Sequence, residues 1–144
     1  MNDAAQSGGS EVGGRQPSPA SEPRRRGPAW TVADGIFLAA FVMSVIVQLN
    51  DPDPWAWVGM YGAAGIVTGL SLAGRGPWYV AGAVAAGAIG WAATLAPRVI
   101  GTVPFIDMFG AFEMESVGIE ESREMYGLLI IAGWMVAVAF RRRP

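Results

Sequence analysis

Gln48-Leu49-Asn50-Asp51-Pro52-Asp53-Pro54-Trp55-Ala56-Trp57 stands between two long apolar runs. Upstream, Gly35 to Val47 carries no charge; downstream, neither does Trp55 to Ala73. Asp53 followed by Pro54 reads as a helix N-cap with proline at the first helical position. Each run, extended by its flanks, is about 20 residues long. At about 1.5 Å per residue that length covers the roughly 30 Å hydrocarbon core of a bilayer. Two bilayer-length helices joined by a dense polar turn make a membrane hairpin, and the rest of the chain is read outward from it.

Span one is expected over 30–49. Thr31-Val32-Ala33-Asp34 fits the capping pattern of a Ser/Thr followed three residues later by an acid, so Asp34 is expected at a helix start near the interface. Arginine before an apolar run also resembles a signal peptide. No small-x-small cleavage site follows Val47, and the reading is a retained helix. Span two is expected over 55–73 and contains Gly65-x-x-x-Gly69. Gly74, Arg75, Gly76 and Pro77 form a tight turn into span three, expected over 78–96 and closed by Pro97. There Gly82, Ala86 and Gly90 repeat every fourth residue, a spacing that lets helix backbones approach closely in lipid. Residues 97–119 form the longest connection. Phe105, Ile106, Phe109 and Phe112 fall on one helical face with Asp107, Glu113 and Glu115 beside them. This predicts a short interfacial helix lying over the bundle as a lid. Span four is expected over 121–140.

Residues 1–29 hold one branched aliphatic residue among Gly, Ser, Pro and Arg. Such a segment cannot bury enough apolar surface to offset its ordering entropy, and it reads as a disordered tail. The expected fold is an all-α membrane protein: an antiparallel bundle of four transmembrane helices, 30–144, with a short interfacial helix before the last span.

Composition narrows the chemistry. The chain is 52% hydrophobic and 15% charged, and it contains no Cys and no His. Disulfides, thiol nucleophiles, iron–sulfur clusters and thiolate zinc sites are thereby excluded. The usual neutral-pH general base is missing as well. A bound metal would be held by oxygen, as Ca²⁺, Mg²⁺ or Mn²⁺ are. No cofactor is expected.

Arginines at 24–26, at 75 and at 141–143 all fall on one side of a four-span chain. By the positive-inside rule that side is cytoplasmic, with both termini. The opposite side holds Asp51, Asp53, Asp107, Glu113, Glu115, Glu120, Glu121 and Glu124, with Arg98 and Arg123.

On that acidic side two motifs meet. Glu120, Arg123, Glu124 and Gly127 share one helix face. If that face points inward, Arg123 pairs with Asp51 or Asp53, or locally with Glu120. Gln48 needs amide partners in a poorly solvated place, and Tyr61 is a candidate donor. The candidate network is Gln48, Asn50, Asp51, Asp53, Tyr61, Glu120, Glu121, Arg123 and Glu124. Its leading reading is architectural: capping, turning and tying span four to the first hairpin, in a non-enzymatic structural or partner-binding protein. The alternative is an ion or polar-solute site. Asp51, Asp53 and Glu124 are only weak metal candidates, because the spacing is not that of a calcium-binding loop and Arg123 opposes a cation. Catalysis by paired carboxylates is the least favoured reading, since no nucleophile or orienting base accompanies them. The expected partners are the bilayer and, through Gly-rich helix faces, another membrane protein or a second copy; nucleic acid is not expected. Trp30, Trp55, Trp57 and Trp78 read as interfacial belt residues, Trp91 and Trp134 as packing residues.

Gln48-Leu49-Asn50-Asp51-Pro52-Asp53, followed by Trp57 and Tyr61, resembles the signature of the transmembrane protein 220 family. Glu120-Glu121-Ser122-Arg123-Glu124-Met125-Tyr126-Gly127-Leu128, followed by Ile130, Ile131 and Trp134, is similar to that family's second motif. The resemblance runs from Val45 to Val136. It implies a small multi-span membrane protein and brings no established activity, cofactor or catalytic residue. The arginine-rich tail and the Arg141–Arg143 end depart from the family pattern. An all-Arg, Gly/Ala-rich composition points to a bacterial source and so to the inner membrane.

Overall fold

A computed structural model of the chain describes residues 27–50, 54–100 and 117–144, with side chains in the last stretch described from Glu121 onward. Four helices account for nearly all of these: α1 (Pro28–Gln48), α2 (Trp55–Leu72), α3 (Trp78–Val99) and α4 (Val117–Arg142). All four are long and apolar enough to cross a membrane. Of the tail expected over 1–29, residues 1–26 lie outside the described residues, while Pro28 and Ala29 are a correction, since they already belong to α1. The interfacial helix expected within 97–119 also lies outside the described residues, except for 97–100 and the start of α4.

The helix ends follow local chemistry. α1 begins at Pro28, whose fixed φ suits the first helical position, after an extended Gly27 whose carbonyl accepts the Trp30 N–H at 3.0 Å. The expected Thr31–Asp34 cap is therefore not used. The cap is Gly27, four residues before Thr31, and Asp34 lies about 9 Å along the helix. Pro54 occupies the cap position of α2, and Asp53 lies outside the described residues. α2 ends in a Schellman motif: the Arg75 N–H reaches the Leu70 carbonyl at 2.7 Å, and the Gly74 N–H reaches Ser71 at 3.0 Å. That motif needs a left-handed residue, and Gly74 supplies it with φ 78°. α3 runs past Pro97, where a stop was expected, to Val99. The Ile100 N–H still closes on the Ala96 carbonyl at 2.9 Å.

α3 and α4 form the most closely packed pair and α1 and α2 the second; α2 meets both α3 and α4. The α3 face of the first pair is Ala81, Ala85, Ala88, Ala92, Leu95 and Val99, all buried. Its steps of four, three, four, three and four residues are those of a heptad seam. Met125, Leu128, Ala132, Met135 and Ala139 repeat the same alternation on α4 and are also buried. Lipid tails are as apolar as leucine, so in a bilayer such a seam is held by van der Waals packing, and alanine lets the backbones close up. The Gly82, Ala86 and Gly90 stripe, expected to make close helix contacts, takes no part in this seam. Ala86 and Gly90 are exposed, and a Cβ added at Gly82 or Gly90 would meet nothing within 4 Å. The glycines that bring α2 close to α1 lie on α2 itself. A Cβ at Gly65 would stand 3.6 Å from Phe41, and one at Gly69 would stand 3.9 Å from Leu38, both on α1.

α1 and α4 have no Cα atoms within 8 Å of one another. Long side chains bridge the gap at one end. Phe37 stacks on Trp134 with centroids 3.9 Å apart and planes 7° apart. The Trp134 Nε1–H then donates to Thr68 Oγ1 on α2 at 3.0 Å, and the Thr68 hydroxyl donates to the Ala64 carbonyl at 2.8 Å. One stack and one hydrogen bond thus connect α1, α4 and α2.

Candidate functional site

Of the sequence-predicted network, Gln48, Asn50, Tyr61, Glu121, Arg123 and Glu124 are described. Gln48 closes α1, half-buried, and lines a cleft of about 260 Å³ with Met43, Ser44, Val47 and Tyr61. The cleft is lined by α1 and α2. Asn50 is exposed in the turn after α1, its N–H donating to the Val47 carbonyl at 3.2 Å. Tyr61 is half-buried, with its ring 6.0 Å from that of Trp57 and 6.5 Å from that of Phe41. Its hydroxyl rests against Gly127: a Cβ there would be 3.1 Å from the Tyr61 oxygen. The two sequence motifs therefore meet at Tyr61 and Gly127, where the missing side chain makes room for the phenol. Glu124 lies within electrostatic reach of the same hydroxyl.

The charged residues distribute differently from expectation. Glu121 is paired at 2.8 Å with Arg98, which the sequence reading had left outside the network. Arg98 is 60% exposed, so this pair is worth at most about 1 kcal/mol. Arg123 and Glu124 are half-buried and both engage neighbours. Asp51 and Asp53, the expected partners of Arg123, lie outside the described residues, as does the side chain of Glu120. Among the described residues no three carboxylates gather as a metal site would require.

Trp57 is a correction. Expected in the interfacial belt, it is buried and stacks on Trp91 of α3 with centroids 4.3 Å apart. It is the third residue of α2, and the helix phase turns it inward. Trp55, two residues earlier, is 76% exposed. Trp91 and Trp134 pack as expected.

The arginine-rich end holds the most buried ionic chemistry, which the sequence reading missed. Asp34 is fully buried, and its Oδ1 accepts from Arg141 Nη2 at 2.7 Å. The Arg141 guanidinium also lies 4.4 Å from the Trp30 ring centroid and 5.2 Å from that of Trp134. Two aromatic rings within reach suit a planar, weakly hydrated cation. Asp34 Oδ2 and Arg141 Nε have no hydrogen-bond partner. Arg142 donates to the carbonyls of Gly76 at 2.7 Å and Gly74 at 3.0 Å, and so fastens α4 to the α2–α3 turn. Arg143 lies over Trp78 at 5.1 Å. The three consecutive arginines thus reach α1, the turn and α3 in order. A signal for this was present in the sequence: an acid inside an apolar span is rare and seeks a partner. Antiparallel topology puts Arg141 at its depth.

Four apolar helices, a tightly packed α3–α4 seam and, among the described residues, carboxylates and guanidiniums near the helix ends define an all-α membrane protein. The chain belongs to the family described as "Transmembrane family 220, helix", whose sequence model matches residues 40–140. That match covers both motifs and the Tyr61–Gly127 contact between them. No solved structure matches the chain.

Proposed function

We propose that this protein is a non-enzymatic membrane bundle that acts by associating with another transmembrane helix. The observation that carries this reading is the face of α3 left over after the chain has packed on itself. Ala86, Gly90 and Ala93 are exposed, while the alanine seam on the opposite side of α3 is fully used. Small residues in lipid gain little from solvation by acyl chains and much from the close approach of a second helix. The polar contacts at both ends then fix the register of the four spans, so that this face is presented in one orientation. The chain has no native cysteine, so single-cysteine crosslinking in native membranes reads the face directly. Ala86→Cys is expected to give a crosslinked product, and Gly133→Cys, exposed on α4, is not. A lone monomer with neither product counts against the reading.

The cleft lined by Ser44, Gln48 and Tyr61 favours a second reading, an ion- or solute-binding role at the acidic mouth. Its test is a thermal-shift titration with Ca²⁺, Mg²⁺ and Mn²⁺, comparing wild type with Asp51→Asn/Glu124→Gln. No shift at millimolar ion removes the cation site.

The all-Arg, Gly/Ala-rich composition supports placement in a bacterial inner membrane, and the charge asymmetry supports a cytoplasmic arginine-rich end. Asn50→Cys and Arg75→Cys are then labelled by a membrane-impermeant maleimide from opposite sides. Labelling of both from one side would refute the four-span orientation.

A further inference from the structure

At the arginine-rich end, α2, α3 and α4 enclose a pocket of about 50 Å³. Its walls are Val67, Leu70, Val80, Ala81 and Val138, and its rim carries Arg75, Gly76, Pro77 and Arg142. Apolar walls under a cationic rim form a two-part site. The rim has three independent sources of positive potential. Arg75 is exposed in the turn, and no described residue pairs with its guanidinium. Arg142 directs Nε and Nη2 at the Gly76 and Gly74 carbonyls, which holds its charge at the rim. α3 begins here after Pro77 with no side-chain cap, so the positive end of its dipole also faces the rim. Trp78, under Arg143 at 5.1 Å and partly exposed, marks this level as the headgroup region.

From this geometry we infer that the pocket is a binding site for an anionic phospholipid. The phosphate sits on Arg75 at the start of α3, within the field of Arg142. The end of one acyl chain enters the pocket between Val67, Val80 and Val138. Charge complementarity selects the occupant: a zwitterionic lipid supplies the chain and gains nothing from the rim. Basic pockets between transmembrane helices at the headgroup level recognise anionic headgroups on these terms. Arg75 is exposed and its guanidinium has no partner among the described residues, so it sets the selectivity. This inference does not depend on the helix-association reading, because the pocket is bounded by α2, α3 and α4 of one chain.

The test uses the full chain in nanodiscs of phosphatidylcholine alone or with phosphatidylglycerol. Thermal unfolding and native mass spectrometry report stability and retained lipid. Wild type is expected to unfold several degrees higher with phosphatidylglycerol and to retain it. Arg75→Gln, in an exposed turn, is expected to fold normally and to lose about fivefold in phosphatidylglycerol retention, the weight of one arginine near an anionic surface. Val80→Phe, which fills the pocket, is expected to lose the same preference. Arg143→Gln, at the same end but outside the pocket, keeps it. Inorganic phosphate added to phosphatidylcholine nanodiscs is expected to give no shift, because it lacks the chain. Equal losses in Arg75→Gln and Arg143→Gln would reduce the effect to general surface charge and overturn the site. So would full retention in Val80→Phe, or a phosphate shift as large as the lipid's.

Discussion

Arg141 Nη2 stands 2.7 Å from Asp34 Oδ1, and the carboxylate is fully buried between α1 and α4. The backbones of those two helices are nowhere closely packed. The ion pair, the Phe37–Trp134 stack and the Trp30–Arg141 contact are the described links between them.

A double-mutant cycle measures how much of that link is ionic. Asp34→Ala leaves a buried guanidinium unpaired, and Arg141→Ala leaves a buried carboxylate; each is expected to cost about 3–5 kcal/mol. Asp34→Ala/Arg141→Ala removes both charges and is expected to cost clearly less than the sum. Thermal unfolding in detergent or nanodiscs checks this. Simple additivity would mean the two groups do not act on each other.

At the other end, Gly127→Ala places a Cβ 3.1 Å from the Tyr61 hydroxyl. A loss of about 1 kcal/mol or more is expected, as for overpacking at a tight contact. Tyr61→Phe removes the obstructing oxygen and is expected to relieve most of the penalty in the double mutant. Gly133→Ala, with nothing within 4 Å, is expected to be neutral or slightly stabilising. Equal effects at Gly127 and Gly133 would show that the contact between the motifs is not tight.

Thr68 joins α2 to α4 through the Trp134 indole. Thr68→Val keeps the shape but leaves a buried indole N–H without its acceptor, at an expected cost of about 1–3 kcal/mol. Trp134→Phe also loses this bond while retaining an aromatic face for Phe37. A Thr68→Val melting temperature equal to wild type would show that the indole N–H finds another acceptor.

Arg123→Ala is expected to destabilise more than Arg98→Ala. Arg98 holds Glu121 from an exposed position, where such pairs contribute about 0–1 kcal/mol. Arg123 is half-buried at the junction of the motifs. Indistinguishable melting temperatures would place Arg123 outside any buried network.

The span count, the helix starts at Trp55 and Trp78, and the Gly74–Pro77 turn were legible because each depends on local chemistry, whereas the start of α1 at Pro28 was expected later in the chain. Run length against bilayer thickness, proline at helix starts and a left-handed glycine after α2 are all written within a few residues. The meeting of the two motifs was legible as well, since antiparallel topology brings their helix ends together. The atoms that meet were not. Tyr61 finds Gly127 because of rotations about two helix axes, and no periodicity reports a helix's rotation against its neighbour.

Rotation also decided what spacing left open. Gly82, Ala86 and Gly90 and the alanine seam from Ala81 onward are both regular stripes on α3, and composition favoured the glycines. Packing against α4 chose the alanines, whose steps of four and three match those of Met125 to Ala139. Trp57 turned inward for the same reason, and Asp34 became a buried partner of Arg141 instead of a cap. The sequence by itself determined that this chain has four helices long and apolar enough to cross a bilayer, with an arginine cluster after the last of them. That much follows from hydropathy, length and charge, which act residue by residue. Which stripe is buried, which carboxylate is paired and which pocket keeps an open arginine were decided only by tertiary structure. Those outcomes depend on the relative rotation and spacing of helices far apart in sequence.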